Sequence, residues 1–545
     1  MMLARLPQGL ALVLLFMLLV IVSLAARPLF PVDETRYVSV AWEMLSNDSW
    51  LVPHLNGEPY SHKPPLMFWL FMIGWRLFGI SEWWPRLVPT LFIAGGMFLT
   101  WRMARRLWPG EGVAASLAPW ILLGASLWVY CSVTIMFDNL IVFFAILGLL
   151  GVLRAASGRA RSGWLVMALA IALGMLAKGP VIILHILPAA ILAPWWRGES
   201  GPARWPAWYA GLLTAIGSGT ALALCWALPA ALAGGEEYGK AIIWHQTSGR
   251  IFTAFAHARP WWWYLRLLPA LLYPWSIWPP LWSALATVLR RPLDGGIRFC
   301  LSWLLPTLVM LSLVSGKQPQ YMLSLLPPFA LLSARALAAT PLNGRRIHRL
   351  PVGLSFFLLG VLMLVVALFA PFPELPPWTT DIPAWAGLVL LSAGLLLPLL
   401  RIRSAAHEVH ILAVSTIFLV LVLTLGLVIP AVPTQDIRDV GRLVHRLQQD
   451  GRTVAHACNY EGQYHFAGRL EKPLLVIDRE RTTEWAAANP GGAVIVYIRD
   501  WAPSGRVSPL LVRPYRGQYV TVWSSEAAIH LPIPARKPSR ETGGS

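Results

Sequence analysis

The sequence predicts an all-α polytopic membrane protein of about thirteen transmembrane helices, followed by a small C-terminal α/β domain. Three observations carry this. Of 545 residues, 57% are hydrophobic and only 13% are charged, against ~25% charged in an average soluble protein. Apolar runs near twenty residues recur up to residue 430, each long enough to cross a ~30 Å hydrocarbon core as a helix. From residue 431 the pattern changes to short apolar runs at 453–457, 473–477 and 493–498, alternating with helical stretches at 436–448 and 482–488.

The elements follow in order. Residues 8–26 come after a single arginine, Arg5, and their apolar stretch of ~17 residues is longer than most cleaved signal cores, so they read as a retained first span. Residues 34–46 and 64–79 are apolar on one side and carry Trp, Arg and Pro, which fits helices lying in the interface. The span 84–106 ends at Arg102, Arg105 and Arg106. Spans 113–131 and 137–154 lead to Arg154, Arg159 and Arg161; 163–179 and 180–196 return to Arg197 and Arg204. Span 206–230 opens into a long loop, 231–261, and 262–289 comes back to Arg290, Arg291 and Arg298. Span 299–314 stops at Gly316-Lys317, and 321–338 returns to Arg345, Arg346 and Arg349. Spans 351–371, 383–400 and 409–430 complete the set, with Arg401 and Arg403 between the last two. With the N-terminus inside, every inner loop is basic, as the positive-inside rule requires, and residues 431–545 fall outside. The chain thus divides into a membrane domain, 1–430, and an outer domain, 431–545, with a tail from Pro534 expected to be disordered.

The same arginines account for the net charge of +18. A chain this apolar has no soluble basic face for nucleic acid. Cys131, Cys225, Cys300 and Cys458 are too scattered to predict a disulfide or a metal cluster.

If arginine prefers the inside, the outer cations need explaining: Arg36, Lys63, Lys178, Lys240, Arg250, Arg259, Arg266 and Lys317. Singly, each can snorkel to headgroups. Together, drawn from separate segments onto one face, they are what a lipid-linked phosphate requires. Asp33 and Glu34 open the helix after the first span. One of them is expected to serve the helix N-terminus; a carboxylate beside a cationic cleft can also act as base or position an acceptor, and both are catalytic candidates. Asp138 begins a span on the same face, as a further acid or as partner to an outer cation. Lys317 and Tyr321 are four residues apart and would reach one phosphate if the segment between were helical. Tyr60, three residues before Lys63, is a second phenol of this kind, although either tyrosine can simply belong to an interfacial aromatic belt. His62 and His245 are outer histidines that could meet at a divalent metal, but two lone histidines more often hydrogen-bond, and no metal is expected. Trp261, Trp262 and Trp263 read as an aromatic belt, with sugar stacking as the alternative.

These residues resemble a known family. Asp33-Glu34-x-Arg36-Tyr37, then Trp50 through Tyr60 and Lys63-Pro64-Pro65, is similar to the first outer loop of the aminoarabinose lipid A transferases, themselves distant relatives of the protein O-mannosyltransferases. The likeness continues in order through Phe137-Asp138, Ala177-Lys178-Gly179-Pro180, His257-Ala258-Arg259-Pro260, Tyr273-Pro274-Trp275 and Lys317–Tyr321. The resemblance implies a GT-C glycosyltransferase of the bacterial inner membrane with thirteen spans and a periplasmic C-terminal domain. It implies a donor sugar on undecaprenyl phosphate, lipid A or another envelope acceptor, and no nucleotide sugar. In that picture Asp33 is the catalytic acid, and Lys63, Arg250, Lys317, Tyr60 and Tyr321 hold the donor phosphate. Two departures stand out: His62 occupies a position where relatives commonly carry Glu, and Trp244-His245 replaces a Glu-His pair. A relative acting on another glycan, glycolipid or protein hydroxyl is the competing enzyme. A lipid-linked sugar transporter fits less well, because transporters gather polar groups at mid-membrane.

Overall fold

The computed structural model describes residues 7–198, 204–243, 259–340, 345–369, 375–402, 404–499 and 507–531. Contacts divide the chain into two units, one of residues 1–27 and 60–430, the other of 28–59 and 431–545.

The first unit is a helical bundle. Among the described residues, nine helices are long and apolar enough to cross a membrane, from Gln8–Ala26 to the helical run beginning at Ala405. A tenth candidate is the pair Gly112–Gly124 and Ser126–Ser132, bent by 71°. Val181–Ile191, Pro279–Leu289 and Ala384–Leu399 are shorter apolar helices within three further expected spans, and Leu66–Phe78 is short as well. A 13-residue helix rises only ~20 Å, too little for the hydrocarbon core. Leu66–Phe78 buries Met67, Phe68, Phe71, Met72 and Trp75 and leaves Ile73, Leu77 and Phe78 exposed, so it is one-sided.

Two expected spans are broken. Residues 113–131 bend at Ala125, which is extended, and the gap is held from elsewhere: Trp275 Nε1 donates to the Ile121 carbonyl at 2.8 Å, and Ser126 N donates to the Tyr273 carbonyl at 2.9 Å. Residues 262–289 are not one span but Trp263–Leu271, a 3₁₀ turn at Trp275–Ile277, and Pro279–Leu289. Pro274 and Pro279 each lack the N–H that a continuous helix needs, and the α conformation is disfavoured for the residue before each.

Neighbouring helices approach closely at small residues. A Cβ on Gly360 would lie 2.5 Å from Leu391 N, and one on Gly394 would lie 2.6 Å from the Gly353 carbonyl. Leu350–Phe369 and Ala384–Leu396 therefore meet backbone to backbone. Asp138–Ala156 and Ala160–Lys178 do the same, with Gly151 facing the Gly163 carbonyl.

In the second unit, β1 (His54–Leu55) and β2 (Glu58–Pro59) form an antiparallel hairpin. A five-stranded sheet comprises β3 (Val454–Ala457), β4 (Leu475–Ile477), β5 (Ala493–Ile498), β6 (Leu511–Tyr515) and β7 (Gln518–Ser524). Its order is β4-β3-β5-β7-β6: β3 runs parallel to β4 and β5, and β7 is antiparallel to both neighbours. The expected runs become β3, β4 and β5; β6 and β7 are additional. Alternate side chains feed two cores, since successive residues of a strand point to opposite faces. Val454, Ile495, Val520 and Val522 pack with Val440, Val444 and Leu447 of the helix Arg438–Gln449. Ala455, Ala457, Val494, Val496 and Trp523 face Ala486 and Ala528.

Residues 28–59 belong to this unit through specific bonds. Trp42 Nε1 donates to the Leu470 carbonyl at 2.9 Å, Phe466 N donates to Ser39 Oγ at 3.0 Å, and Asn56 exchanges two bonds with Leu474, at 2.9 and 2.7 Å. The helix Asp33–Ser46 buries Val38, Val40, Ala41 and Met44 completely, more than a helix floating in the interface would.

Candidate functional site

The first unit gathers several of the expected residues where helix ends meet. Asp138 is the first residue of Asp138–Ala156, and Lys178 the last of Ala160–Lys178. Gly179, at φ 82°, ends that helix in a conformation glycine adopts without strain, and Pro180 prevents its return. Acid at a helix start and base at a helix end each suit the local dipole. The two side chains meet: Lys178 Nζ lies 2.5 Å from Asp138 Oδ1, and both are nearly buried. Lys178 Nζ also stands 4.2 Å above the centre of the Tyr321 ring.

Lys63 lies in the loop before Leu66–Phe78, its ammonium 5.5 Å from the Phe137 ring. Phe137 packs edge-on against Phe68, Phe68 against Tyr60, and Tyr60 lies 5.1 Å from His62. An aromatic wall thus joins Tyr60, His62 and Lys63 to the residue preceding Asp138. Lys317 is buried and donates to the carbonyls of Arg259, at 3.0 Å, and Val314, at 2.5 Å. Burial pulls its ammonium below the ordinary lysine value. Arg259 N in turn donates to the Ser315 carbonyl at 3.1 Å, tying the two strips of chain together. Lys317 and Tyr321 do not point at one place. The segment Pro319–Leu325 is a 3₁₀ helix, and four residues in 3₁₀ geometry do not share a face as they do in an α-helix.

The structure therefore pairs Lys178 with Asp138 and sets Lys63 beside the adjoining Phe137, whereas Lys317 turns to backbone carbonyls and Arg259 is exposed. Arg250 and His245 lie outside the described residues. Among those described, no group of three or more His, Cys, Asp or Glu could hold a metal ion, so His62 has no ligand set around it. Lys240 is answered by Glu236 on its own short helix, and Arg266, Trp261 and Trp262 are exposed. Arg86, absent from the expected outer cations, caps the first helix: its guanidinium donates to the carbonyls of Ser23, Leu24 and Arg27 at 2.6, 3.1 and 2.9 Å.

Asp33, Glu34 and Arg36 lie in the second unit. Glu34 is buried, and its Oε2 accepts the Phe30 N–H at 2.9 Å, fixing the backbone just ahead of the helix. Asp33 is exposed and pairs with Arg36 one turn on. The same guanidinium pairs with Glu461, a residue that nothing in its own stretch of sequence singles out. Glu43 was also missed: its carboxylate accepts the N–H groups of Asn56 and Gly57 at 2.7 and 2.6 Å, closing the β1–β2 turn. Burial raises Glu43 above the usual carboxylate range even against those two bonds. The Asn56-Gly57 dipeptide, with φ of 57° and 82°, is a strong hairpin signal and was there to be read.

Residues 62–228 match the family described as dolichyl-phosphate-mannose-protein mannosyltransferase. With the helical fold, this defines a polytopic membrane glycosyltransferase. Two relatives are more specific. The undecaprenyl phosphate-alpha-4-amino-4-deoxy-L-arabinose arabinosyl transferase of Pseudomonas aeruginosa (strain UCBPP-PA14) is 31% identical over 397 residues, 70% of this chain and 69% of the relative. The second such enzyme of Pseudomonas fluorescens (strain Pf0-1) is 33% identical over 333 residues, 59% of this chain and 58% of that protein. The crystal structure of ArnT from Cupriavidus metallidurans bound to undecaprenyl phosphate superposes with a TM-score of 0.76 at 20% identity, covering 96% of this chain and 99% of that one, and so shares its fold. The chain belongs to the undecaprenyl phosphate-aminoarabinose arabinosyl transferase family.

Proposed function

We propose that this protein moves 4-amino-4-deoxy-L-arabinose from undecaprenyl phosphate to a phosphate of lipid A, on the periplasmic face of the bacterial inner membrane. The observation that carries the reading is the nearly buried Lys178–Asp138 pair with Lys63 beside the adjoining Phe137, in a family whose named relatives use that donor. A lipid phosphate that departs with an electron pair gains negative charge. Fixed ammonium and guanidinium groups in a poorly hydrated site stabilise that charge far better than water-exposed ones would.

The bond from the anomeric carbon to the donor phosphate oxygen breaks, and its electron pair leaves with undecaprenyl phosphate. An acceptor phosphate oxygen forms the new bond from the opposite side, so the sugar inverts. Such an acceptor is already anionic, and Asp33 has only to align it; a hydroxyl acceptor would require Asp33 as base. Tyr60 joins the donor-phosphate set by its correspondence to the family motif, and Arg250 by its place in the long outer loop upstream of Ala256-His257-Ala258-Arg259-Pro260. The basic loops at Arg102–Arg106 and Arg154–Arg161 support an inner N-terminus and a periplasmic C-terminal domain.

The test is reconstitution of the purified protein in vesicles with the undecaprenyl-phosphate sugar and lipid A. Lipid A carrying the sugar, with inverted anomeric configuration and free undecaprenyl phosphate as co-product, is expected. Retained configuration would overturn the single displacement. Unmodified lipid A, in vesicles where another envelope glycan or a protein hydroxyl takes the sugar, would move the acceptor.

A further inference from the structure

The turn that leaves the carboxyl end of β3 carries more organisation than a connecting loop needs. In open α/β sheets, ligands usually bind outside the strand ends where the strand order reverses. β3 is that place, with β4 on one side and β5 on the other. Here the crevice is occupied by the chain itself. Tyr464 and Tyr497 share a hydrogen bond of 2.5 Å between hydroxyls, and Gln463 Nε2 donates to Tyr497 Oη at 2.9 Å. Tyr460 Oη meets His465 Nδ1 at 2.7 Å and accepts the Tyr464 N–H at 3.1 Å, while its ring stacks on Tyr464. His456 Nδ1 donates to the Cys458 carbonyl at 2.9 Å.

A buried polar network of this kind is rigid when its members are satisfied and costly when they are not. What it fixes is the turn 458–464, and the residue the turn presents is Glu461. The Glu461 N–H donates to Gln463 Oε1 at 3.0 Å, which ties the residue to the network, while its half-exposed carboxylate reaches Arg36. Arg36 is thus forked between Glu461 and Asp33. Alone, an exposed Asp33–Arg36 pair one helical turn apart would be weak and mobile. A second carboxylate, anchored on a rigid turn 425 residues away, removes that freedom, because a planar guanidinium held at one edge has few orientations left.

We propose that Glu461 is a positioning residue for the transfer reaction, acting through Arg36 to hold the Asp33 carboxylate in one orientation. This rests on the reading of Asp33 as the acid that aligns the acceptor, and it adds that the C-terminal domain sets that alignment.

Glu461→Gln keeps the side chain's shape and removes its charge. In the full-length protein it should lower kcat about ten- to a hundredfold while the KM for donor changes little, since misplacing a reacting group costs rate more than binding. Glu461→Asp should recover part of the loss. Arg36→Lys should be slow by itself, and adding Glu461→Gln to it should cost almost nothing more, because both changes break one linkage. A wild-type kcat for Glu461→Gln overturns the proposal, and so do losses that multiply in full in the double variant. Asp33→Asn separates the two levels. If it is inactive while Glu461→Gln is normal, the positioning role alone fails; if it is fully active, the reading beneath fails as well.

Discussion

A lysine and a carboxylate facing each other at the ends of two apolar helices are bound less by their attraction than by the cost of parting them. Asp138 and Lys178 are only 12% and 11% exposed. Removing one partner of such a pair leaves a charge with little water around it, a loss of about 3–5 kcal/mol, whereas removing both for apolar groups is often close to neutral. Lys178→Met is therefore expected to lower the melting temperature in detergent clearly, and Asp138→Leu with Lys178→Met to recover most of it. If Lys178 also grips the donor phosphate, the double variant will be stable and still slow. Lys63→Ala should lower the transfer rate about 10²–10³-fold, the usual loss on removing one preorganised charge stabiliser. Added undecaprenyl phosphate should also inhibit it less; unchanged inhibition would count against a phosphate contact. At this scale side-chain directions were not legible in the sequence. Lys317 and Tyr321 looked like one pair because four residues suggest one helix face. Pro319 begins a 3₁₀ segment instead, so Tyr321 lies beneath Lys178 and Lys317 turns to the carbonyls of Arg259 and Val314.

Elements in this bundle are joined at glycine. Gly353, Gly360, Gly387 and Gly394 let two helices touch along their backbones, and a larger side chain at Gly360 would strike Leu391 N. Gly360→Leu should destabilise the protein by at least the ~1–3 kcal/mol typical of overpacking. A thermal shift assay would show it, and Gly217→Leu, where a Cβ meets nothing within 4 Å, is the control. Hydropathy located these helices because crossing a hydrocarbon layer demands length and apolarity wherever the helix sits. It could not locate the bend at Ala125 or the broken stretch 262–289. The bend depends on Trp275 bonding to Ile121 and on Ser126 bonding to Tyr273, pairs about 150 residues apart that no local window contains.

For the molecule as a whole, the two-unit division is the feature that a reading along the chain could not supply. The change of composition at residue 431 was visible; the membership of residues 28–59 was not, because it rests on bonds such as Ser39–Phe466 and Asn56–Leu474. A chain ending at Pro430 should keep its bundle helices while residues 28–59, deprived of those partners, become the first site of limited proteolysis. Acid should act on the same unit. Burial holds the imidazoles of His456 and His465 near 4, down from 6.5. The unfolded chain takes up protons below about 6.5 and the folded one only near 4, so stability is complete above 6.5 and is lost as the pH falls toward 4. At ~1.4 kcal/mol per pH unit this is about 3 kcal/mol for each histidine. Hydrogen exchange in β3 and β5 of the full-length protein should accelerate between pH 7 and 4.5, and equal protection at both would contradict it. Because the Asp33 helix completes its fold only against residues some four hundred positions downstream, a nascent chain carries its acid loop unfinished through nearly all of synthesis. The order of manufacture then matters: a protein cut short before residue 431 has the Asp33 helix without the residues that its buried side packs against.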